Sequence, residues 1–176
     1  NIDLVLRTFA AVKAARPDAR MLFVGGGPLA LALGEQHPGH IFAGVRHGED
    51  LAAHYASADL FLFPSLTETF GNATAEALAS GLGVVAYDCA AAGDLIDDGV
   101  QGIVVPPGDE AAYVEAAVAV AREPERLAAL RARAPEAVAA LDWERIHDLF
   151  ADTLLALVAG HRDRENVQGI FVVAPD

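Results

Sequence analysis

With 176 residues, of which 53% are apolar and only 21% charged, and with positive mean hydropathy, the chain is sized for one well-buried domain and leaves little room for two. Its 16 Gly, 9 Pro and 1 Cys exclude collagen-like order and a disulfide scaffold, and the apolar share excludes intrinsic disorder. Twelve Lys and Arg against 25 Asp and Glu give a formal charge of −13, which argues against nucleic acid as a partner and against membrane contact through this domain. No apolar run reaches the ~18 residues of a membrane span and no leader pattern opens the chain, so a cytoplasmic location is expected.

The opening residues enter a helical period at once, with Leu6, Phe9, Ala10 and Lys13 at three- and four-residue steps. A helix from about Ile2 should stop at Arg16-Pro17, because the residue before a proline is pushed out of the helical region. Strand-like apolar runs follow at Arg20 to Val24, Ile41 to Ala43, Leu60 to Phe63, Val84 to Tyr87 and Ile103 to Val105, with helical stretches between them. Near-continuous apolarity points to strands covered on both faces. The pattern predicts an α/β fold: a Rossmann-like, doubly wound parallel sheet with helices on both faces and its ligands beyond the carboxyl ends of the strands. From Asp109 onward three helices are expected, punctuated by Pro124, Pro135 and Asp142. A domain over residues 1–160 would then be followed by a tail over 161–176, in which Gly169 to Val173 could add a strand.

Two loops carry candidate chemistry. Gly25-Gly26-Gly27-Pro28-Leu29-Ala30 satisfies G-x-G-x-x-A after a strand, with Glu49 and Asp50 about 20 residues on. Glycines there let a phosphate approach backbone N–H groups, and Pro28 would start the helix without wasting a donor. A dinucleotide site, a contact with another phosphorylated ligand and a purely structural turn all fit. The second loop runs from Phe63-Pro64-Ser65 through Glu68 and Phe70-Gly71 into a helix from about Asn72 that contains Glu76. Backbone donors of Phe70, Gly71, Asn72 and Ala73 would meet an anion at the positive end of that helix. Carboxylates flanking an anion cannot be its ligands, but they accept from hydroxyls, so Glu68 and Glu76 would each take a polyol. A diphosphate between two polyols is a nucleotide-sugar.

The stretch from Phe63 to Gly81 resembles the E-x(7)-E signature of retaining, two-domain (GT-B) nucleotide-sugar glycosyltransferases of the group 1 or family 4 type, in their C-terminal donor-binding domain. Val24 to Pro28 is similar to the family's V-G-x-G-P, Tyr55 to Asp59 to its Y-x-x-A-D, and Gly102 to Pro107 to its G-x-L-V-P-P. The resemblance implies transfer of a hexose to a glycan or lipid acceptor without metal or cofactor, the donor being a nucleoside-diphosphate sugar. It implies that Glu68 contacts the donor sugar, that Glu76 takes the ribose diol, that Phe70, Gly71, Asn72 and Ala73 offer main-chain donors, and that Val45 and Arg46 lie against the base. It also implies a partner N-terminal domain for the acceptor and, for the whole enzyme, a possible peripheral place at the inner membrane face.

Several positions depart from the pattern. The family places an arginine and a lysine on the strand and loop before the first helix, and this chain starts after them, so a missing first strand is expected and the chain alone should bind nucleotide weakly and transfer nothing. Gly83 stands where G-x-P-V-V has proline, which should loosen the strand start without altering chemistry. Ala91-Ala92-Gly93-Asp94 replaces a G-G-x-x-E-like turn. The rival readings are an NAD-type oxidoreductase domain using Gly25, Gly27 and Ala30, and a non-catalytic module that lost its cationic clamp. The scattered histidines, His47 and His54 included, lack the carboxylate or thiolate that would complete a metal set.

Overall fold

In a computed structural model that describes residues 1–162, two compact units divide between Ala139 and Ala140. The first carries α1 (Ile2–Ala15), β1 (Leu22–Val24), α2 (Ala30–Gln36), β2 (Ile41–Gly44), α3 (Gly48–Ala56), β3 (Leu60–Phe63), α4 (Asn72–Ala79), β4 (Gly83–Tyr87), α5 (Ala90–Leu95), β5 (Ile103–Val105), α6 (Glu110–Arg122) and α7 (Pro124–Arg133), then a 3₁₀ turn over Ala134–Val138. The second is represented by α8 (Trp143–Arg162), so the boundary expected at 160 falls inside that helix. The strand expected at 169–173 lies outside the described residues. Pro135 sits within the 3₁₀ turn rather than between two α-helices.

All five strands run parallel, as the strand and helix alternation requires. They form two sheets, β1-β2 and β3-β4-β5, where the pattern suggested one. Among the described residues no backbone ladder joins β1 to β3, and none pairs the outer edge of either strand.

The core is built on β4, whose five residues are all buried. Side chains alternate across a strand. Val85 and Tyr87 therefore pack on one face with Leu4 and Val12 of α1 and Tyr113, Ala117 and Val120 of α6. Val84 and Ala86 meet Ala77 and Leu78 of α4 and Ala92 and Ile96 on the other. Helices thus cover both faces of this sheet. Outside it the apolar runs are only partly covered, with Val24 and Ile41 exposed. Phe23 and Phe42 stack at 5.0 Å across β1 and β2, and Phe9 of α1 meets His40 edge-on at 5.2 Å.

The first helix ends at Ala15, with Arg16 already outside helical geometry at φ −131°, as Pro17 demands. Its buried stripe is Leu4, Thr8, Phe9 and Val12, not the row of Leu6, Phe9, Ala10 and Lys13; the helix turns its Leu4 to Val12 side to α6. Lys13 instead reaches the Ala19 carbonyl at 2.6 Å from an exposed position. Across the sheet, the Tyr113 hydroxyl donates to the Val85 carbonyl at 2.9 Å, and burial pushes that phenol's pKa up.

Gly83 is not a loosened strand start. Its N–H donates to the Asp59 carbonyl at 3.0 Å, and a Cβ built there would meet Leu127 Cδ1 at 2.7 Å. A proline at this position would lose the bond and press on Leu127. Gly83→Pro should therefore destabilise the chain by about 2 kcal/mol or more in urea unfolding; unchanged stability would show that α7 yields to the ring and that the bond is dispensable.

Candidate functional site

The loops at the carboxyl ends of the strands hold Gly25, Gly27, Val45, Arg46, Glu68, Phe70 and Gly71, while Asn72 and Ala73 open α4 and Glu76 lies one turn further in. The most closely built of them joins β3 to α4. Gly71 sits at φ 100° and ψ 54° as the residue before α4, a left-handed conformation that a side chain resists. A Cβ there would make only ordinary contacts, with Ala91 Cβ at 3.5 Å and Glu68 Cγ at 3.8 Å, so the backbone conformation is what favours glycine. This turn lets the chain leave β3 and enter α4 without a side-chain cap. The N–H groups of Asn72 and Ala73 have no intrahelical acceptor, as in the first turn of any helix, while Thr74 N donates back to the Gly71 carbonyl at 2.9 Å.

Glu68 is exposed, and it is held by the Ser65 hydroxyl, which donates to its Oε1 at 2.8 Å. A shallow hollow beside it is lined by Phe63, Glu68, Phe70, Gly71, Cys89 and Ala90 among others. Its far wall is the start of α5, locked to the loop by Ala91 N donating to the Phe70 carbonyl at 2.6 Å. Ala90 adopts φ 47°, a left-handed conformation costing an L-residue about 1–2 kcal/mol. The alanine-rich segment thus closes the hollow in which Glu68 stands. Cys89, half-buried, contributes its thiol to the Ser65 carbonyl at 3.5 Å.

Glu76 does not line that hollow. It projects exposed from α4, near Tyr55 of α3, whose pKa is pushed up to about 12 by burial first and then by the Glu76 carboxylate. Glu68 thus lines the hollow with a hydroxyl donor in place, and Glu76 stands outside it.

The glycine loop is placed differently from its expectation. Gly25 and Gly27 take φ 131° and 156°, and Gly25 N donates to the Gly44 carbonyl at 2.8 Å. Pro28 and Leu29 form a turn, so α2 starts only at Ala30 and buries none of its seven residues. In a dinucleotide fingerprint the third small residue serves close packing of helix on strand. Ala30 here is half-buried, at the start of a helix with no fully buried residue. Gly26 does meet a need: a Cβ there would lie 2.9 Å from Val45 Cγ2. The loop therefore abuts the β2 to α3 connection and brings Gly25, Gly27 and Val45 together.

Val45 is exposed. Its neighbour Arg46 pairs with Asp50 at 3.3 Å across one helical turn, and its Nε is buried without a partner. Sequence reasoning passed over Ser65, which stands inside the quoted motif, and saw Tyr55 only as a motif letter. Among the described residues no group of three His, Cys, Asp or Glu could hold a metal ion, and no helix is long and apolar enough to cross a membrane.

Residues 1–123 match the family described as glycosyl transferases group 1. The chain is 37% identical over 131 residues to a GDP-mannose-dependent alpha-mannosyltransferase of Corynebacterium glutamicum, covering 74% of this chain and 32% of the relative. It is 32% identical over 176 residues to a D-inositol 3-phosphate glycosyltransferase of Saccharomonospora viridis, covering 91% and 41%. Among solved structures, the sucrose-phosphate synthase of Thermosynechococcus elongatus superposes with a TM-score of 0.72 at 27% identity, over 87% of this chain and 42% of that one. The chain therefore spans less than half the length of these relatives. The uncapped α4 behind a Gly71 turn, flanked by Glu68 and Glu76, sits in a chain of this descent: it belongs to the glycosyl transferases group 1 family.

Proposed function

We propose that the chain is the donor-binding half of a retaining glycosyltransferase that moves a hexose from a nucleoside diphosphate to a glycan or lipid acceptor. The observation that carries this reading is the opening of α4, uncapped and flanked by Glu68, tethered by Ser65, and by the exposed Glu76. The diphosphate sits on the amides of Asn72 and Ala73, where the helix end is positive. Glu68 accepts from sugar hydroxyls over the hollow walled by Phe70 and Ala90, and Glu76 accepts from the ribose diol. The base lies toward Val45 and Arg46, with Gly25 and Gly27 leaving room for close backbone approach. The corynebacterial relative, a GDP-mannose-dependent alpha-mannosyltransferase, supports a hexosyl nucleotide as donor.

The chemistry asks for positioning rather than attack by the protein. Glu68 orients the sugar, and the departing diphosphate assists the acceptor on the same face, which keeps the anomeric configuration. A net charge of −13 opposes a dianionic leaving group. The helix end must therefore act with basic groups beyond this chain, and an acceptor-binding N-terminal domain supplies the second wall of the cleft.

Titration followed by amide shifts separates the roles. GDP or UDP should move the amides from Phe70 to Glu76, and NAD should leave Gly25 to Ala30 unmoved. Glu76→Gln should weaken nucleoside diphosphate and nucleotide-sugar alike by about tenfold, as expected when a hydrogen bond to a charged group is lost. Glu68→Gln should weaken only the nucleotide-sugar. Equal losses for both ligands in Glu68→Gln would remove the sugar from its side of the helix. Gly71→Ala should cost about 1–2 kcal/mol of stability through its left-handed backbone and should abolish the amide shifts. A Gly71→Ala chain with unchanged binding would show that the turn is not what aims α4.

A further inference from the structure

Amides at a helix start are commonly taken by the side chain of the preceding residue, most often Ser, Thr, Asp or Asn. At α4 that residue is Gly71, and no side chain caps the helix. The first turn of α4 contains no acid either. Glu68, three residues before Gly71, stands beside this turn: its Cγ would lie 3.8 Å from a Cβ on Gly71, and a carboxylate is favoured at the positive end of a helix. Its Oε1 instead accepts from the Ser65 hydroxyl at 2.8 Å, and no ion pair among the described residues competes for it. Ser65 is itself anchored. The buried Pro64 precedes it, and Cys89 Sγ donates to its carbonyl at 3.5 Å from the far wall of the hollow. Cys89 stands at the start of α5 without capping it, so its thiol serves the loop rather than its own helix.

We propose that Ser65 is a positioning residue that keeps α4 open: by holding Glu68 on the loop side, it stops that carboxylate from capping the helix and leaves the Asn72 and Ala73 amides to an incoming phosphate. This rests on the donor-binding reading above. Without the tether, rotation of the Glu68 side chain brings a carboxylate onto the donors that the diphosphate needs, and a binding anion must then displace it against like charge. A serine suits the task because its hydroxyl supplies one donor and no charge. The held carboxylate keeps lone pairs for sugar hydroxyls, which a pairing cation would take up. Gly71 and Ser65 thus act together. One brings no side chain to the amides, and the other withholds the side chain that could reach them.

The test is a double-mutant cycle between Ser65→Ala and Glu68→Ala, read by amide NMR with GDP and with UDP. In the otherwise unsubstituted chain, Ser65→Ala should weaken both nucleotides by about three- to tenfold, the worth of one hydrogen-bonded anion on the amides. It should also shift the Asn72 and Ala73 amides before any ligand is added. The same substitution made in a Glu68→Ala chain should change neither the affinities nor those shifts, because the competing carboxylate is gone. Ser65→Thr, which keeps the hydroxyl, should bind like the unsubstituted chain. A merely structural serine gives a different pattern, in which Ser65→Ala costs as much affinity in the Glu68→Ala chain as outside it. That pattern, or full affinity and unmoved amides in Ser65→Ala, overturns the positioning role. If GDP and UDP leave Phe70 to Glu76 of the unsubstituted chain unmoved, the donor-site reading itself fails. The ligand-free shifts across the cycle then still decide whether Ser65 keeps Glu68 off the helix.

Discussion

Burial of β4 on both faces is the constraint on which the compact unit depends. Its Val85 and Tyr87 close one core with α1 and α6, and Val84 and Ala86 close the other with α4 and α5. A five-residue strand with no exposed face leaves its neighbours little freedom of register. Phe63 of β3 pairs with Ala86, and Val105 of β5 with Tyr87, so the carboxyl ends of the three strands come out together. Chemistry at those ends rests on rigid elements, while the turns between them supply the variable groups.

The turn at Gly71 converts that scaffold into a site. Its left-handed backbone starts α4 with no side-chain cap, and the bond from Ala91 N to the Phe70 carbonyl ties the turn to the start of α5. The positive helix end, two carboxylates and an alanine-walled hollow are thereby fixed relative to one another. Glu68 has a neutral hydroxyl donor in Ser65, which orders the carboxylate without cancelling its charge and leaves lone pairs free to accept.

Elements with strong local signals were legible in the sequence. Pro17 marked the end of α1, the apolar runs marked all five strands within a residue or two, and the Phe-Gly turn marked the start of α4. The E-x(7)-E spacing located both carboxylates. What was not legible depended on tertiary partners. The buried stripe of α1, Leu4, Thr8, Phe9 and Val12, followed its packing against α6 and shares only Phe9 with the row Leu6, Phe9, Ala10 and Lys13. Gly83 looked permissive because neither Leu127 nor the Asp59 carbonyl is visible from sequence. The glycine loop matched a fingerprint by letter, but whether Ala30 packs a helix onto a strand is a property of the fold, and here α2 has no buried residue. The separation of the strands into two sheets likewise leaves no trace in a pattern that only alternates.

The central claim is that the opening of α4, not the glycine loop, receives the phosphates. A crystal structure of this chain grown with GDP or UDP tests it most directly. The account predicts the diphosphate within hydrogen-bond reach of the Asn72 and Ala73 amides, with the ribose beside Glu76. A nucleotide lying along Gly25 to Ala30, with its phosphates away from α4, would contradict it.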